Sequence, residues 1–281
     1  MPAEIVDVSR ADVAAHYDDL DHLYRAFWGE HVHHGLWTSP DLTPEEATRR
    51  LIDAVVERAR VSRGDAVCDA GCGYGGTARV LAHELGAQVT ALTISQAQHA
   101  YATATDPGSE NPRYLLRDWL ENGLEPDSFD AVIAIESSEH MPDLAAFFSE
   151  SYRVLRPGGR LVVCAWLTRE QPRGWERRWL IGPICREGRM RGMESVAEMQ
   201  RQAGAAGFVS ESFDDTSHQV KKTWSLCIQR VLLGLLREPA YRRFLFRDGG
   251  PNRIFGLTML RIRLAYEIGA MRYGILTFVK P

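Results

Sequence analysis

The amino-acid sequence predicts an α/β fold with a Rossmann-like sheet of seven strands and helical insertions. Short, fully apolar segments alternate with segments of about ten residues that have helical periodicity, which is typical of a parallel sheet covered on both faces. A glycine-rich loop also follows the first apolar segment and precedes the next helical one, as in sheets that bind nucleotide-like ligands.

Each predicted element rests on a local pattern. The predicted strands are the apolar runs Asp65–Asp69, Gln88–Thr93, Arg113–Leu116, Asp130–Ile135, Leu161–Ala165, Phe208–Asp214 and Tyr273–Lys280. The predicted helices have apolar residues at helical spacing and are Glu45–Ala59, Thr77–Leu85, Ser95–Thr105, Leu144–Leu155, Ser195–Ala206, Trp224–Leu236 and Ile254–Tyr266. Thr43-Pro44 supplies the N-cap and first-turn proline of the first helix, and the segment 156–159 (RPGG) is a stop signal for the fourth.

Length and composition indicate an ordinary globular protein. The chain has 281 residues, of which 45% are hydrophobic and 25% charged, and its net charge is −4. These values exclude disordered and collagen-like classes and do not indicate nucleic-acid binding. The five cysteines are scattered without a CxxC pair, so we expect neither a disulfide framework nor a zinc site. No signal peptide or transmembrane segment is apparent, which predicts a soluble, cytoplasmic protein.

The strongest chemical signal is the loop Val67–Gly76, which reads VCDAGCGYGG. Glycines let the backbone turn sharply and let a ligand approach the N-terminus of the following helix. Gly71, Gly73 and Gly76 match GxGxxG, the dinucleotide-binding pattern, which alone is weak evidence. The alternative explanation is a tight turn without a ligand, so the surrounding residues have to decide between them.

Three features favour S-adenosylmethionine over a nicotinamide cofactor. The end of the second strand, Ala91–Ser95 (ALTIS), lacks the acid that binds a nicotinamide ribose. Asp69 would repel a pyrophosphate but suits the ammonium group of a methionine moiety. Asp118, after the third strand, can accept a hydrogen bond from an adenine amine. An acid, a glycine loop and a second acid therefore suit a ligand with a cation, a ribose and an adenine but no phosphate.

Five segments resemble the successive motifs of class I S-adenosylmethionine-dependent methyltransferases, namely DAGCGYGG, LTISQAQ, RDW, SFDAVIAIESSEHMPD and VLRPGGRLVV. Within this family the chain resembles the gamma-tocopherol methyltransferase-like enzymes through WGEHVHHGLW, ESSEHMPD, the dipeptide AW and the closing YGILTFVKP. These enzymes are also similar to methyltransferases that act on sugars, terpenoids and alkaloids. The resemblance covers most of the chain and implies the seven-stranded class I methyltransferase sheet.

The resemblance implies where the cofactor would bind. From the methionine end through the ribose to the adenine, the implied contacts are Asp69, Gly71, Gly73, Thr93, Gln98, Asp118 and Trp119. Ile94 and Ile135 are further predicted contacts, and the predicted lid over the cofactor consists of Tyr17, His33, Gly35 and Trp37. Thr93 departs from the acid found in many class I enzymes, although TxS with a following Gln is usual in this subgroup.

His140 and Glu136 are the candidate catalytic residues. Methyl transfer is an in-line displacement, so the protein supplies alignment, desolvation and, where needed, a base. His140 lies just past the fourth strand, where ligands bind in such sheets, and a histidine can take a proton at pH 7. A hydrogen bond to the cofactor or a turn cap is the alternative role of His140, and Glu136 could orient a substrate hydroxyl or ammonium. In some related sugar O-methyltransferases an acid partners the histidine, but Ala165 stands at that position here.

The predicted organisation has three parts. Residues 1–42 would form the N-terminal lid, residues 43–166 the S-adenosylmethionine-binding core, and residues 167–281 the acceptor-binding insertions and last strands. The predicted function is methylation of a lipophilic small molecule, such as a prenylated phenol or quinol, an indole alkaloid or a terpenoid, at carbon, nitrogen or oxygen. The N-terminal histidine string lacks the spacing of a metal site, so no metal is predicted.

Several alternatives stay open at this stage. Two are other methyltransferase reactions: C-methylation of a prenyl diphosphate held by C-terminal arginines, and O-methylation of a sugar or other natural product. A non-catalytic binding module and a nicotinamide oxidoreductase are alternatives from other functional classes. A homo-oligomer also stays open.

Charge is distributed unevenly along the chain. Residues 1–30 contain seven acids and two arginines, whereas residues 237–263 contain seven arginines and two acids. The acidic excess falls in the predicted lid, where it would face a cationic sulfonium. The segment Tyr241–Arg247 (YRRFLFR) suggests contact with an anionic substrate or a membrane surface, with a solvated helix face as the alternative.

Overall fold

The computed structural model describes residue 6, residues 8–237 and residues 252–281. Its strands are β1 (Ala66–Ala70), β2 (Gln88–Thr93), β3 (Arg113–Leu116), β4 (Phe129–Ile135), β5 (Leu155–Thr168), β6 (Val209–Asp215) and β7 (Met271–Val279). They form one seven-stranded sheet in the order β3-β2-β1-β4-β5-β7-β6. The predicted seven-stranded α/β fold is therefore confirmed.

The helices are α1 (Arg10–Asp19), α2 (Asp21–Trp28), α3 (Pro44–Ala59), α4 (Gly76–Arg79), α5 (Gln96–Thr105), α6 (Leu144–Val154), α7 (Gly174–Glu176), α8 (Gly182–Glu187), α9 (Val196–Ala205), α10 (Ser217–Val220), α11 (Lys222–Arg237) and α12 (Asn252–Glu267). Short 3-10 turns at Trp119–Glu121 and Ser138–His140 follow β3 and β4. Wider π turns, Val80–Glu84 and Arg177–Ile181, continue α4 and α7. The first helix of the core, α3, begins at the predicted cap, where Thr43 and Glu46 form a capping box.

Two apolar clusters cover the two faces of the sheet. Alternate residues of β4 belong to different clusters, since Ile133 packs in one and Val132 in the other. The first cluster includes Leu51 of α3, and the second includes Phe147 and Phe148 of α6. Both faces of β4 are thus buried, which explains why its sequence is a continuous apolar run rather than an alternating one.

The sheet as a whole is mixed, and the alternating pattern of the first five strands correctly predicted their parallel pairing. Strands β1 to β5 pair in parallel, but β7 lies between β5 and β6 and is antiparallel to both. Strand β5 is also longer than predicted. It begins at Leu155, directly after α6, because Leu155 pairs with Phe129 before a bulge and Arg160 pairs with Ala131 after it. The glycines of the RPGG segment therefore lie within the strand.

The strand order places a crevice at the carboxyl edge of the sheet. β1 is flanked by β2 on one side and β4 on the other, so the chain reverses its direction of progress across the sheet at β1. Ligands bind at this kind of switch point in open α/β sheets. The glycine loop after β1 and the turn at Ser138–His140 after β4 both lie at this edge.

Helices α1 and α2, which the sequence did not predict, pack over the same edge. Asp18 accepts hydrogen bonds from the Ser95 hydroxyl (2.5 Å) and the Ala97 amide (3.0 Å), which ties α1 to the start of α5. Asp21 accepts one from the hydroxyl of Tyr74 in the glycine loop, at 2.9 Å. The N-terminal segment is thus held by polar contacts to the loops that follow β1 and β2.

No helix in the described ranges is both long and apolar enough to cross a membrane. The five cysteines are buried and unpaired with one another. The arginine-rich segment Tyr241–Arg247, which the sequence associated with an anionic substrate or a membrane, lies outside the described residues.

Candidate active site

A cavity of about 110 Å³ opens at the carboxyl edge of the sheet, between the glycine loop, the ends of β2 to β4 and helix α1. The predicted site residues that line it are Tyr17, Gly71, Gly73, Thr93, Ile94, Gln98, Asp118, Trp119, Ile135, Glu136 and His140. Predicted cofactor contacts and both candidate catalytic residues thus share one cavity. Arg10, Val13, Val32, Met141 and Pro142 also line it and were not predicted from the sequence.

Four predicted cofactor residues lie outside this lining: Asp69, His33, Gly35 and Trp37. The amide of Gly35 and the indole nitrogen of Trp37 both donate to the Thr223 hydroxyl of α11, at 3.2 and 3.0 Å. A Cβ on Gly35 would lie 2.7 Å from that of Ala47. In the structure Gly35 permits close packing on α3 and Trp37 anchors the segment to α11, while their contact with the cofactor stays a prediction.

His33 is likewise buried behind the cavity. Its Nδ1 hydrogen-bonds the backbone carbonyl of His34 at 2.9 Å, and its Nε2 has no partner. Among the described residues there is no group of three or more His, Cys, Asp or Glu side chains arranged to hold a metal.

The glycine loop presents one open position to the cavity. The amides of Gly71 and Cys72 donate to the Leu92 carbonyl, which folds the loop back over β2. Gly71 packs on Ser137, because an added Cβ would lie 2.3 Å from the Ser137 Cβ. Gly73 differs, since it has a φ of +54° and no atom within 4 Å of an added Cβ. The space beside Gly73 is therefore available to a ligand.

Asp69 fits the cationic end of S-adenosylmethionine. Its side chain is buried directly below the loop, and its Oδ2 atom has no hydrogen-bond partner. Burial raises the pKa of Asp69 to about 7. An ammonium group would supply the missing partner and favour the carboxylate form. The Oδ2 atom of Asp69 is thus an unsatisfied hydrogen-bond acceptor, as the ammonium group of the predicted ligand requires.

The residues predicted to contact the ribose and the adenine are hydrogen-bonded to other residues of the protein. Thr93 donates its hydroxyl proton to Gln98 Oε1 at 2.8 Å, so these two predicted ribose contacts form a pair. Asp118 caps the following turn through Leu120 and accepts a hydrogen bond from Arg10 of α1 at 3.2 Å. An adenine amine at Asp118 would therefore meet the side chain of Arg10, a residue that no sequence motif indicated.

Replacing Asp69 by asparagine should weaken binding of S-adenosylhomocysteine by about tenfold at pH 8. Because the pKa of Asp69 is raised to about 7, its proton must leave before it pairs with an ammonium, so wild-type affinity should rise between about pH 6 and about pH 8. Calorimetric titrations at several pH values measure this slope, which D69N should flatten. Asp65→Asn, just before β1, is the matched control, and equal slopes in D69N and wild type would contradict the assignment.

His140 is half-buried at the cavity and has a defined tautomer. Its Nδ1 lies 3.0 Å from the Arg189 carbonyl, and because a carbonyl only accepts, Nδ1 carries the proton. Its Nε2 lies 3.0 Å from the Tyr17 hydroxyl and accepts from it. Burial lowers the pKa of His140 and raises that of Tyr17, so the pair is a neutral imidazole and a phenol. The basic nitrogen of His140 thus points toward Tyr17 at the cavity.

Glu136 is enclosed by hydrogen-bond donors. Its Oε1 accepts from the His34 amide (2.7 Å), His34 Nδ1 (2.9 Å) and the Tyr273 hydroxyl (2.7 Å), and its Oε2 accepts from the Trp166 indole (2.7 Å). Burial acts to raise the pKa of Glu136, but the contacts with His34 outweigh it and lower the pKa to about 2. Glu136 is therefore a carboxylate with protein donors on both oxygens.

Glu139, the residue before His140 on the turn that follows β4, is a second buried acid. It accepts hydrogen bonds from the Trp166 amide (2.6 Å) and the Ser138 hydroxyl (3.1 Å). Burial raises its pKa to about 7. The two neighbouring acids thus have opposite pKa shifts, because burial dominates at Glu139 and the contacts with His34 dominate at Glu136.

Residues 6–232 match the family model described as mycolic acid cyclopropane synthetase. The chain is 31% identical over 282 residues to a 27-O-demethylrifamycin SV methyltransferase from Amycolatopsis mediterranei (strain S699), which spans 96% of this chain and 97% of that protein. It is 29% identical over 303 residues to a chloroplastic tocopherol O-methyltransferase from Arabidopsis thaliana, covering 99% of this chain and 84% of that protein.

Solved structures share the fold. The [4+2]-cyclase SpnF superposes with a TM-score of 0.83 and 24% identity, covering 99% of this chain and 98% of that one. The mycolic acid cyclopropane synthase CmaA1, complexed with SAH and CTAB, has a TM-score of 0.83 and 23% identity, covering 98% of this chain and 99% of that one. At these identities the likeness shows the fold alone, and one of the two proteins is named as a cyclase.

Proposed function

The chain belongs to the mycolic acid cyclopropane synthetase family and is an S-adenosylmethionine-dependent methyltransferase, and from this premise we propose that its acceptor is a lipophilic phenol or hydroquinone. The relatives' names support a lipophilic acceptor, since they specify a tocopherol and a rifamycin derivative. The apolar residues Val13, Val32, Met141 and Pro142 line the cavity together with His140, which suits such a molecule.

One observation carries this proposal: a neutral histidine, its Nδ1 proton held by a carbonyl, lies in the same cavity as the glycine loop. When bound in the cavity, S-adenosylmethionine would supply the methyl group as an electrophile, and the electron pair of the S–C bond would stay on the sulfur of S-adenosylhomocysteine. As the acceptor oxygen bonds the methyl carbon, its proton passes to the Tyr17 hydroxyl, which gives its own proton to His140 Nε2, so that His140 ends as the imidazolium. The Tyr17 hydroxyl is hydrogen-bonded to this nitrogen, and Tyr17 lines the cavity from the α1 side.

The partner of His140 favours an acidic hydroxyl over an aliphatic alcohol. Arg189 offers a neutral carbonyl to Nδ1, and Ala165 stands on β5 where related sugar O-methyltransferases carry an acid. A carbonyl stabilises the imidazolium formed during the reaction less than a carboxylate does. Phenols and hydroquinones lose a proton more readily than alcohols, so they make the smaller demand on the base. Indoles and terpenoids are further acceptor classes consistent with an apolar cavity.

A radiolabelled-cofactor assay over phenols, prenylated hydroquinones, indoles, fatty acids, sugars and prenyl diphosphates tests the acceptor class. We expect label in the phenol and hydroquinone products, with no transfer by the cofactor-site variant Gly73→Arg. Label confined to a prenyl diphosphate would contradict the proposal and favour an enzyme in which the arginines of residues 237–263 bind the diphosphate. Label confined to a sugar would also contradict it and favour base-assisted methylation of an alcohol. Transfer to no acceptor in the panel would count against a lipophilic phenol as well.

Three sequence-based expectations stay predictions. They are the division of the chain at residues 42 and 166, a cytoplasmic location, and homo-oligomer formation or peripheral contact with membranes.

A further inference from the structure

The partners of Glu136 come from segments that are far apart in the sequence. His34 lies in the loop after α2, Trp166 in β5 and Tyr273 in β7, while Glu136 itself directly follows β4. Each partner donates to the carboxylate, and Glu136 itself is a cavity-lining residue. The carboxylate therefore joins three strands of the sheet and the N-terminal segment at one point on the cavity wall.

His34 extends this connection to helix α11. The indole nitrogen of Trp224 lies 2.6 Å from His34 Nε2, and an indole N–H can only donate. Nε2 of His34 must therefore accept, so its Nδ1 carries the proton that is donated to Glu136. The bonds run in one direction, from Trp224 through His34 to the carboxylate, and only an ionised carboxylate can accept at the end of this chain together with three other donors.

The packing leaves His34 no freedom to reorient. Its side chain is fully buried, and its ring centroid lies 5.1 Å from that of Trp166, 5.6 Å from that of Trp224 and 4.9 Å from that of Tyr273. Glu136 has a φ of +52°, a left-handed conformation that a non-glycine residue adopts only where its surroundings hold it. Aromatic packing and four hydrogen bonds supply that constraint.

We propose that His34 and Glu136 are positioning residues that fix helix α11, on the acceptor side, at a set distance from the cofactor cavity. Both oxygens of Glu136 accept hydrogen bonds from protein donors, so the proposal gives it a positioning role in place of the predicted catalytic one. The proposal deepens the proposed function, because α11 lies in the predicted acceptor-binding insertions. By positioning α11, His34 and Glu136 affect the affinity for the acceptor, whereas His140 acts as the base.

Hydrogen exchange of the α11 amides in the full-length chain tests the connection without an acceptor. With S-adenosylhomocysteine as the probe ligand, His34→Phe should speed exchange in Lys222–Arg237 by about tenfold while keeping the affinity for that ligand within about threefold. Trp224→Phe, which removes the indole donor to His34 and part of the ring packing on Trp166 but keeps an aromatic side chain, should give a smaller increase. His34→Asn keeps a donor for Glu136 and should partly restore protection. Gln229→Ala, an exposed position also on α11 but outside this set of contacts, is the matched control.

Turnover provides the second readout, with the acceptor found in the panel. His34→Phe and Glu136→Gln should raise the acceptor KM at least fivefold and lower kcat less than fivefold, and the pH profile due to His140 should keep its shape. A thousandfold loss of kcat in Glu136→Gln, with α11 exchange as in wild type, would overturn the proposal and make Glu136 catalytic. Unchanged exchange and KM in His34→Phe would also overturn it.

The two proposals fail separately. An acceptor panel without any product leaves the exchange experiment intact, since that experiment uses only S-adenosylhomocysteine. If His34→Phe does not fold, His34→Asn and Trp224→Phe provide the same comparison, and wild-type exchange rates in both would contradict the positioning role.

Discussion

Replacing Gly73 by arginine is expected to abolish binding of S-adenosylhomocysteine, with affinity falling by at least about a hundredfold in calorimetric titration. Gly73 lines the cavity and has no atom within 4 Å of an added Cβ, so the new side chain would project into the space assigned to the cofactor. The arginine would also bring a positive charge to a site that has to accept an ammonium and, in the reactive cofactor, a sulfonium.

The same substitution at Gly108 controls for backbone strain. Gly108 also has a positive φ, +76°, and open space around an added Cβ, but it does not line the cavity. A non-glycine residue in the left-handed region costs roughly 1–2 kcal/mol wherever it is placed. Gly108→Arg should therefore lose similar stability and keep its ligand affinity. Undiminished affinity in Gly73→Arg would refute the cofactor assignment of the loop.

Replacing His140 by alanine is expected to lower kcat by about 10²- to 10⁴-fold, the usual contribution of a general base. Affinity for S-adenosylhomocysteine should stay within about threefold, since the predicted cofactor contacts lie elsewhere on the cavity wall. Burial lowers the pKa of His140, so the imidazole is neutral and able to accept a proton at pH 7. Wild-type turnover should therefore fall only when the pH drops below about 6.5, and the variant should lose this dependence.

His83→Ala supplies the control for His140. His83 is a half-exposed histidine that hydrogen-bonds Asp106, away from the cavity, and its replacement should leave turnover unchanged. The assay needs an acceptor that loses a proton on methylation, because an acceptor without such a proton would react without a base. Equal kcat for wild type and His140→Ala with a phenol acceptor would show that His140 is not the base.

Local patterns predicted the core of the fold well because each element is locally consistent. The apolar runs of β1, β2 and β4 are buried on both faces, and the cap of α3 is formed by residues adjacent to the helix. Helix α1 lacks the apolar periodicity, since Val13 is its one buried residue, and its capping box of Ser9 and Asp12 is the only local signal of this kind that it carries. The antiparallel placement of β7 follows from long-range pairing, which strand periodicity does not encode.

The same distinction explains the site. The glycine loop, Asp118 and His140 follow successive strands, and motif spacing places them at one edge of the sheet. Gly35 and Trp37 share a motif-like segment with His34, yet they pack on α3 and α11. The bond between His34 and Glu136 spans 102 residues and that between Trp224 and His34 spans 190, so only the fold brings these side chains together.

A crystal structure with S-adenosylhomocysteine bound tests the central claim most directly. We predict the amino group of the ligand within hydrogen-bond distance of Asp69, its adenine at Asp118 in place of the Arg10 contact, and its sulfur facing the end of the cavity that holds Tyr17 and His140. A ligand whose sulfur faces away from His140, or one bound at another place on the protein, would contradict the account.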